Sequence, residues 1–162
     1  MKKMAKLGIY YCPQLFLPLQ PVSSNPMFQN HIQQAKLKIV ADGTQNAIAL
    51  AKKHKVTILW GTDAFFGDQR FANFTQEFAY RDEFVEPIEQ LQQITGNNGE
   101  VLALSGLKNP YPPGPLGKIE PGAYADIILV NGDPTKDIRL LLDAEKNINL
   151  IMKDDKIFKN TL

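Results

Sequence analysis

The sequence predicts an α/β fold, and three observations carry that expectation. Two short apolar runs rich in β-formers, Leu7-Gly8-Ile9-Tyr10-Tyr11-Cys12 and Val56-Thr57-Ile58-Leu59-Trp60, flank a long stretch of helical periodicity. Continuous apolar runs of this length suit strands buried on both faces. A strand, a helix and a second strand make a β-α-β unit, so the two strands are expected to be parallel. From Gly117 onward the pattern changes to short β segments separated by turn residues, which predicts a small β part after the α/β part.

Each element has its own signal. The first run ends at Pro13, and four prolines between 13 and 26 predict a loop with little regular structure. Asn25 is placed to cap a helix with Pro26 at its first position. That helix is expected to reach about Lys53, with Ile32, Ala35, Ile39, Ala47, Ile48 and Ala51 at roughly helical spacing and Asp42-Gly43 as a point of kinking. The second run ends in Gly61-Thr62-Asp63. An aromatic segment follows, in which Phe71, Phe74 and Phe78 are spaced as a packing stripe on one helix face. Glu86-Pro87 opens a helix through Ile88, Leu91 and Ile94, and another helical stretch runs from Asn98 to Leu104 before Ser105-Gly106. Asn109-Pro110-Tyr111-Pro112-Pro113-Gly114-Pro115 excludes regular structure. Strands are expected at 117–119, 126–130, 150–153 and 156–159, with 153–156 as a tight hairpin turn that puts Asp155 at positive φ. Residues 1–106 are thus read as an α/β part and 107–162 as a small β part.

Composition excludes several classes. Leu, Ile, Val and Phe make up 47 of 162 residues, well above the roughly 20% typical of disordered chains. No run of about 20 apolar residues is present, which excludes a membrane-spanning helix. A single cysteine, Cys12, excludes a disulfide framework and a cysteine-rich zinc site. A net charge of +1 argues against a nucleic-acid binder. Residues 1–62 carry eight lysines and one acid, but the lysines are spread along the helical pattern as a solvated face. The basic start followed by an apolar stretch looks superficially like a secretory leader. Pro13 and Gln14 interrupt the stretch, however, and no small-x-small cleavage site follows. The cytoplasm is the default expectation for compartment.

Few residues offer chemistry. Neither His31 nor His54 has a second metal-ligating residue at helical spacing, so each reads as a surface or capping residue. His54, at a helix C-terminus, is favourably placed for its charged form. Cys12 reads as a strand residue without a signal for a lowered pKa. No glycine-rich phosphate loop follows either strand, and Asn73-Phe74-Thr75 matches a glycosylation acceptor of little specificity. Asp63 differs from these. It follows an apolar strand in a parallel β-α-β setting, where catalytic groups of α/β enzymes gather. A carboxylate there binds a divalent metal or takes a proton from water, although Asp also ends strands as an ordinary cap.

The chain resembles the C-terminal portion of the metal-dependent amidohydrolases, especially the imidazolonepropionase-like and prolidase-like (Xaa-Pro dipeptidase-type) members. Val56 to Asp63 looks like their last barrel strand. Pro87-Ile88-Glu89-Gln90-Leu91 through Thr95, then Asn98 and Glu100 to Gly106, are similar to their last barrel helices. Leu116-Gly117-Lys118-Ile119-Glu120-Pro121-Gly122-Ala123-Tyr124-Ala125-Asp126 through Val130 resembles the return of such chains into a small β-sandwich. Asn131-Gly132-Asp133-Pro134 and Ile151-Met152-Lys153-Asp154 continue the match.

The resemblance implies a partial (β/α)8 TIM-type barrel over residues 1–106, comprising the last two strands and flanking helices. It also implies the C-terminal strands of a composite β-sandwich over 107–162. It implies hydrolysis of an amide or dipeptide C–N bond by metal-activated water, with a divalent metal, zinc by preference, in the complete enzyme. Asp63 matches the residue that binds metal and acts as general base. The loop after Asp63 is then expected to border the pocket, with Phe65 and Phe66 as an apolar wall and Arg70 or Arg81 pairing a substrate carboxylate. For each arginine the alternative is an ordinary ion pair.

The sequence also departs from the family. The His-x-His pair, the bridging lysine and the two later histidines have no match here, and one carboxylate cannot hold a catalytic zinc. No metal is therefore expected in this chain alone. Gly99, where the family tends to have Ala, and Asp155, where it tends to have Gly, read as marks of a diverged copy. A separate N-terminal chain or a homo-oligomer is the expected partner if an enzyme is formed. A non-catalytic remnant or interaction module is the alternative.

Overall fold

The computed structural model describes residues 1–21, 28–63, 74–111 and 114–162. The chain forms two compact units, Met1–Phe84 and Val85–Leu162. It mixes helix and strand, with a small three-stranded antiparallel sheet.

In the first unit, helix α1 (Lys2–Lys6) is wholly exposed or half-buried. The expected strand over 7–12 is reduced to a single parallel bridge, Tyr11 with Ile58. The Tyr11 N–H donates to the Thr57 carbonyl at 3.0 Å, and the Leu59 N–H donates to the Tyr11 carbonyl at 2.8 Å. Leu7 and Ile9 are exposed, so the apolar run is not a buried strand over its length. The parallel sense of the β-α-β reading holds at this one point. On the partner segment, Val56, Ile58, Leu59 and Trp60 are all buried.

The connecting helix α3 (His31–Lys53) starts later than expected, with Asn30 as its cap accepting from the Ile32 N–H at 2.8 Å. Asn25 and Pro26, the expected start, lie outside the described residues. Asp42-Gly43 does not break the helix. Lys38 and Asp42 form an ion pair one turn apart, at 2.9 Å, across that point. The buried stripe of α3 is Leu37, Thr44, Ile48 and Ala51, whereas Ile32, Ala35 and Ile39 are exposed. Several registers of apolar residues fit a helical period here, and packing selects the Leu37–Ala51 face. The helix ends in a left-handed Lys55 with φ 56°. Its N–H reaches the Lys52 carbonyl, and the Val56 N–H reaches the Ala51 carbonyl. This pair of bonds is the Schellman arrangement, which usually takes glycine at the left-handed position.

Two short helices complete the unit, α2 (Phe16–Leu19) and α4 (Gln76–Arg81). On α4, Glu77 and Arg81 lie one turn apart and both are fully buried. The Arg81 guanidinium donates to Glu77 Oε1 at 2.7 and 3.1 Å, to the Leu59 carbonyl at 3.1 Å and to the Pro13 carbonyl at 2.7 Å. Glu77 in turn accepts from the backbone N–H groups of Leu15 and Phe16 at 2.9 and 2.7 Å. The pair therefore ties the ends of both β segments to the start of α2. Burial pushes the Glu77 carboxyl up from its ordinary value, against the pull of Arg81 and of the two backbone donors. Trp60 packs on Phe78 of α4 and on Phe74, with ring centroids 4.7 and 5.3 Å apart; Phe74 precedes the helix, so the two aromatics pack on Trp60 without sharing one helix face. Phe71, the third, lies outside the described residues.

In the second unit, helix α5 (Pro87–Gln92) begins with its proline in the first turn, as the sequence predicts. It runs through a π-helical turn (Gln93–Asn97) directly into α6 (Asn98–Ala103). The two helical stretches read from the sequence are thus one continuous path. The loop around 116–117 lies against it. A Cβ on Gly99 would stand 2.3 Å from the Leu116 carbonyl oxygen, and one on Gly117, with φ +70°, would stand 2.3 Å from Thr95 backbone atoms. Close approach of backbone demands glycine at 99, which replaces its reading as a mark of divergence.

The sheet has strand β1 (Ile127–Val130) paired antiparallel to β2 (Ile148–Lys153), itself paired antiparallel to β3 (Lys156–Asn160). The expected strand at 117–119 is absent, and Ile119 is exposed. Between β1 and β2, Asp137 caps a 3-10 turn (Ile138–Leu142) and Asp143 caps α7 (Ala144–Asn147). Ile138, Leu141, Ile148 and Leu150 are buried from this side of the unit. Asp154 and Asp155 join β2 to β3 with φ of 50° and 62°, the two positive values of a type I′ hairpin. Asp126 steadies the turn by accepting from the Asp154 N–H at 2.9 Å.

Two stability measurements test these readings. Glu77→Gln leaves the Arg81 charge buried without its carboxylate and is expected to cost about 3–5 kcal/mol. Glu77→Leu combined with Arg81→Met is expected to cost less than the sum of the two single changes in denaturant unfolding. Lys55→Gly removes the left-handed strain of a side chain and is expected to raise stability by roughly 0.5–1 kcal/mol.

Candidate functional site

Asp63 stands three residues beyond buried Trp60, at the end of the second β segment. Its backbone is left-handed, φ 53°, and its side chain is exposed. Asp tolerates this conformation better than most residues, and such positions cluster at functional sites. At Gly61, two residues before it, a Cβ would meet the Cys12 sulfur at 3.0 Å. The ends of the two segments, Cys12 and Gly61-Thr62-Asp63, therefore share one rim, as the β-α-β reading requires.

Beside Asp63 lies a cavity of about 340 Å³. Its walls are mostly apolar, from Leu17 and Pro18 on α2, Leu37 and Val40 on α3, and Phe28. Lys36 and Asp63 are its charged members, and Gln14 and Gln33 its amides. Neither Lys36 nor Gln33 is distinguished by motif or spacing; only their place in the first turns of α3 brings them here.

Burial pushes the Cys12 thiol up from its ordinary value. Arg81 pulls it down, and Glu77 and Asp63 add to the rise. A thiol held in its protonated form is a poor nucleophile and a poor metal ligand. His54 caps the C-terminal end of α3. Its imidazole is held below its ordinary value by desolvation and by Lys2, Lys53 and the N-terminal amine. The expectation that the helix end favours its charged form is thus overturned, first by desolvation and then by these cations. His31 opens α3. Among the described residues no group of three or more His, Cys, Asp or Glu side chains stands together as a metal site.

The other expected site residues part company here. Phe65, Phe66 and Arg70 lie outside the described residues. Arg81, offered by the sequence as a carboxylate partner for substrate, is instead fully buried, with its guanidinium bonded to Glu77 and to the carbonyls of Pro13 and Leu59. Glu77 carries no sequence signal of its own, because Glu and Arg four residues apart usually form an exposed helix pair. Only the tertiary packing of α4 reveals that this pair is internal.

No family model and no curated protein matches the sequence. Solved structures do match it. An amidohydrolase is 30% identical with a TM-score of 0.82, covering 99% of this chain and 37% of its own. A prolidase solved with N-methylphosphonate-L-proline is 22% identical with a TM-score of 0.81, over the same shares. The ochratoxinase of A. niger is 25% identical with a TM-score of 0.75, covering 97% of this chain and 33% of its own. The expected resemblance is thus met across nearly the whole chain, and the chain spans about a third of the length of these proteins. By fold and by sequence likeness it is an amidohydrolase-like polypeptide, similar to the C-terminal portion of such enzymes.

Proposed function

We propose that this chain is part of a hydrolase that cleaves carbon–nitrogen bonds of amide or dipeptide substrates. In this reading residues 1–106 are the closing part of a (β/α)8 barrel, residues 107–162 belong to a composite β-sandwich, and Asp63 stands at the barrel mouth. The observation that carries it is the position of Asp63: it ends a buried, parallel-paired β segment and opens onto a cavity, in a chain of amidohydrolase-like fold.

The chemistry asked of Asp63 is that of a general base. Its carboxylate accepts the proton of the attacking water and hands it to the leaving nitrogen, while the apolar walls limit competing solvent. A metal of the family's kind would polarise the carbonyl and activate the water. The described residues do not fit it alone: a catalytic zinc takes about three protein ligands, and among the described residues no three His, Cys, Asp or Glu side chains stand together. Further ligands belong to other polypeptide, supplied by a separate chain or a second copy. Phe65, Phe66 and Arg70 remain proposed as the pocket wall and carboxylate partner on the loop after Asp63.

A second reading, in which the chain serves chiefly to associate with another polypeptide, is favoured by its exposed apolar side chains. Ile32, Ile39 and Leu50 are exposed on α3. At separations of seven and eleven residues, close to two and three turns, they share one face. In the sheet, Ile128, Leu129, Ile157 and Phe158 are exposed as well. Such surfaces mark interaction sites.

Two outcomes test these readings. Asp63→Asn keeps a residue that tolerates positive φ, so assembly is expected to survive while hydrolysis falls at least about 100-fold. Retained hydrolysis would remove Asp63 from the reaction. In light scattering the purified chain is expected to associate with itself or with a co-purifying polypeptide; a sharply melting monomer would exclude the association.

A further inference from the structure

We propose that the first unit carries a docking surface for an anionic membrane, at the end away from Asp63. It is made of the lysines of α1 and of the C-terminal end of α3, around exposed Leu7 and Ile9. It stands independently of the hydrolytic reading.

In sequence order these lysines stand far apart, at 2, 3 and 6 and again at 53 and 55. The parallel bridge of Tyr11 with Ile58 brings them to one end of the unit. Counted back equally from that bridge, Gly8 stands just after α1 and Lys55 just after α3. The same closeness registers on His54, whose imidazole is held below its ordinary value first by desolvation and then by Lys2 and Lys53. Lys2, Lys3, Lys6, Lys53 and Lys55 are all exposed. Among the described residues none of them enters an ion pair or a side-chain hydrogen bond. Asp42, the one acid of residues 1–62, is paired with Lys38 midway along α3. Lys52 bounds the patch: its Nζ donates to the Phe84 carbonyl at 3.4 Å, on a stretch that carries Asp82 and Glu83. Like charges gathered without a counter-charge repel one another and favour an anionic partner.

The apolar side chains among the lysines select a lipid surface over other polyanions. Leu7 is 57% and Ile9 47% exposed, and both directly follow α1. Aliphatic side chains flanked by lysines suit the boundary between headgroups and acyl chains. There the apolar groups enter the hydrocarbon and the ammonium groups stay with the phosphates. A nucleic acid would offer Leu7 and Ile9 nothing. Single strands stack their bases on exposed aromatic rings, whereas Tyr10 and Tyr11 are half-buried.

The test is flotation of the full chain, in the assembly in which it purifies, with two kinds of vesicle. One is phosphatidylcholine alone, and the other contains about one third phosphatidylserine. Self-associated chain without lipid stays at the bottom of the gradient, so association does not imitate binding. The chain is expected to float only with the serine-lipid vesicles and to be released at about 0.5 M salt. A lysine near an anionic surface is worth about fivefold in affinity. Lys2→Gln with Lys6→Gln, and separately Lys53→Gln with Lys55→Gly, are therefore each expected to weaken binding about 25-fold. Leu7→Ser is expected to weaken it several-fold, and Lys38→Gln to leave it unchanged. These side chains are exposed, so an unchanged helical circular dichroism signal reports that the variants are folded. Equal flotation with neutral vesicles, full binding by both lysine pairs, or a loss in Lys38→Gln as large as theirs would overturn the proposal. So would full binding by Leu7→Ser, which would leave charge alone as the cause. A DNA duplex of about 20 base pairs bound more tightly than the vesicles at equal salt would assign the patch to nucleic acid instead.

Discussion

A carboxylate and a guanidinium one turn apart on a six-residue helix hold the first unit in register. Arg81 bonds the backbone carbonyls of Pro13 and Leu59, and Glu77 bonds the N–H groups of Leu15 and Phe16. Only one parallel bridge joins the two β segments among the described residues, so this pair supplies by side chain what a longer ladder would supply by backbone. Two charges are buried to do it, which is favourable only when the remaining donors and acceptors are matched. Every strong donor of the guanidinium that is accounted for meets an oxygen, and the carboxylate meets only donors. The position of Asp63 depends on this arrangement, because Leu59 lies four residues before it on the same segment.

Backbone conformation does similar work elsewhere. Lys55, Asp63, Asp154 and Asp155 all adopt positive φ without being glycine. Lys55 ends the long helix and turns the chain back into the buried β segment. Asp154 and Asp155 close a two-residue hairpin, steadied by Asp126. In the second unit the constraint runs the other way: Gly99 and Gly117 are needed because two stretches of backbone approach within the space a Cβ would fill. A glycine that seems costly inside a helix when read alone is thus required by what packs on it.

The exposed apolar residues bear on function as much as on stability. Ile32, Ile39 and Leu50 lie on the face of α3 opposite its buried stripe, so the helix is apolar on two sides. The chain spans about a third of the length of the solved proteins it resembles.

Much of the fold was legible in the residues themselves, because local signals decided it. Proline at the start of α5, the buried apolar run 56–60, the strands near the C-terminus and the positive φ of Asp155 all follow from backbone preference or short-range pattern. The likeness to amidohydrolases was equally legible in the residues around Val56 to Asp63 and Gly117 to Val130. Other features depended on which surfaces meet. The apolar residues of α3 fit several helical faces, and only packing chose Leu37, Thr44, Ile48 and Ala51. The run 7–12 has strand composition, yet strand structure needs a partner along its length, and it meets one only at Tyr11. Glu77 and Arg81 carry the spacing of an exposed pair, and burial makes them the internal tie of the unit. Lys36 has no motif at all; it enters the candidate site because α3 carries it to the same cavity as a carboxylate 27 residues further along the chain. Local chemistry is written in sequence order, whereas desolvation and charge pairing depend on distance in space.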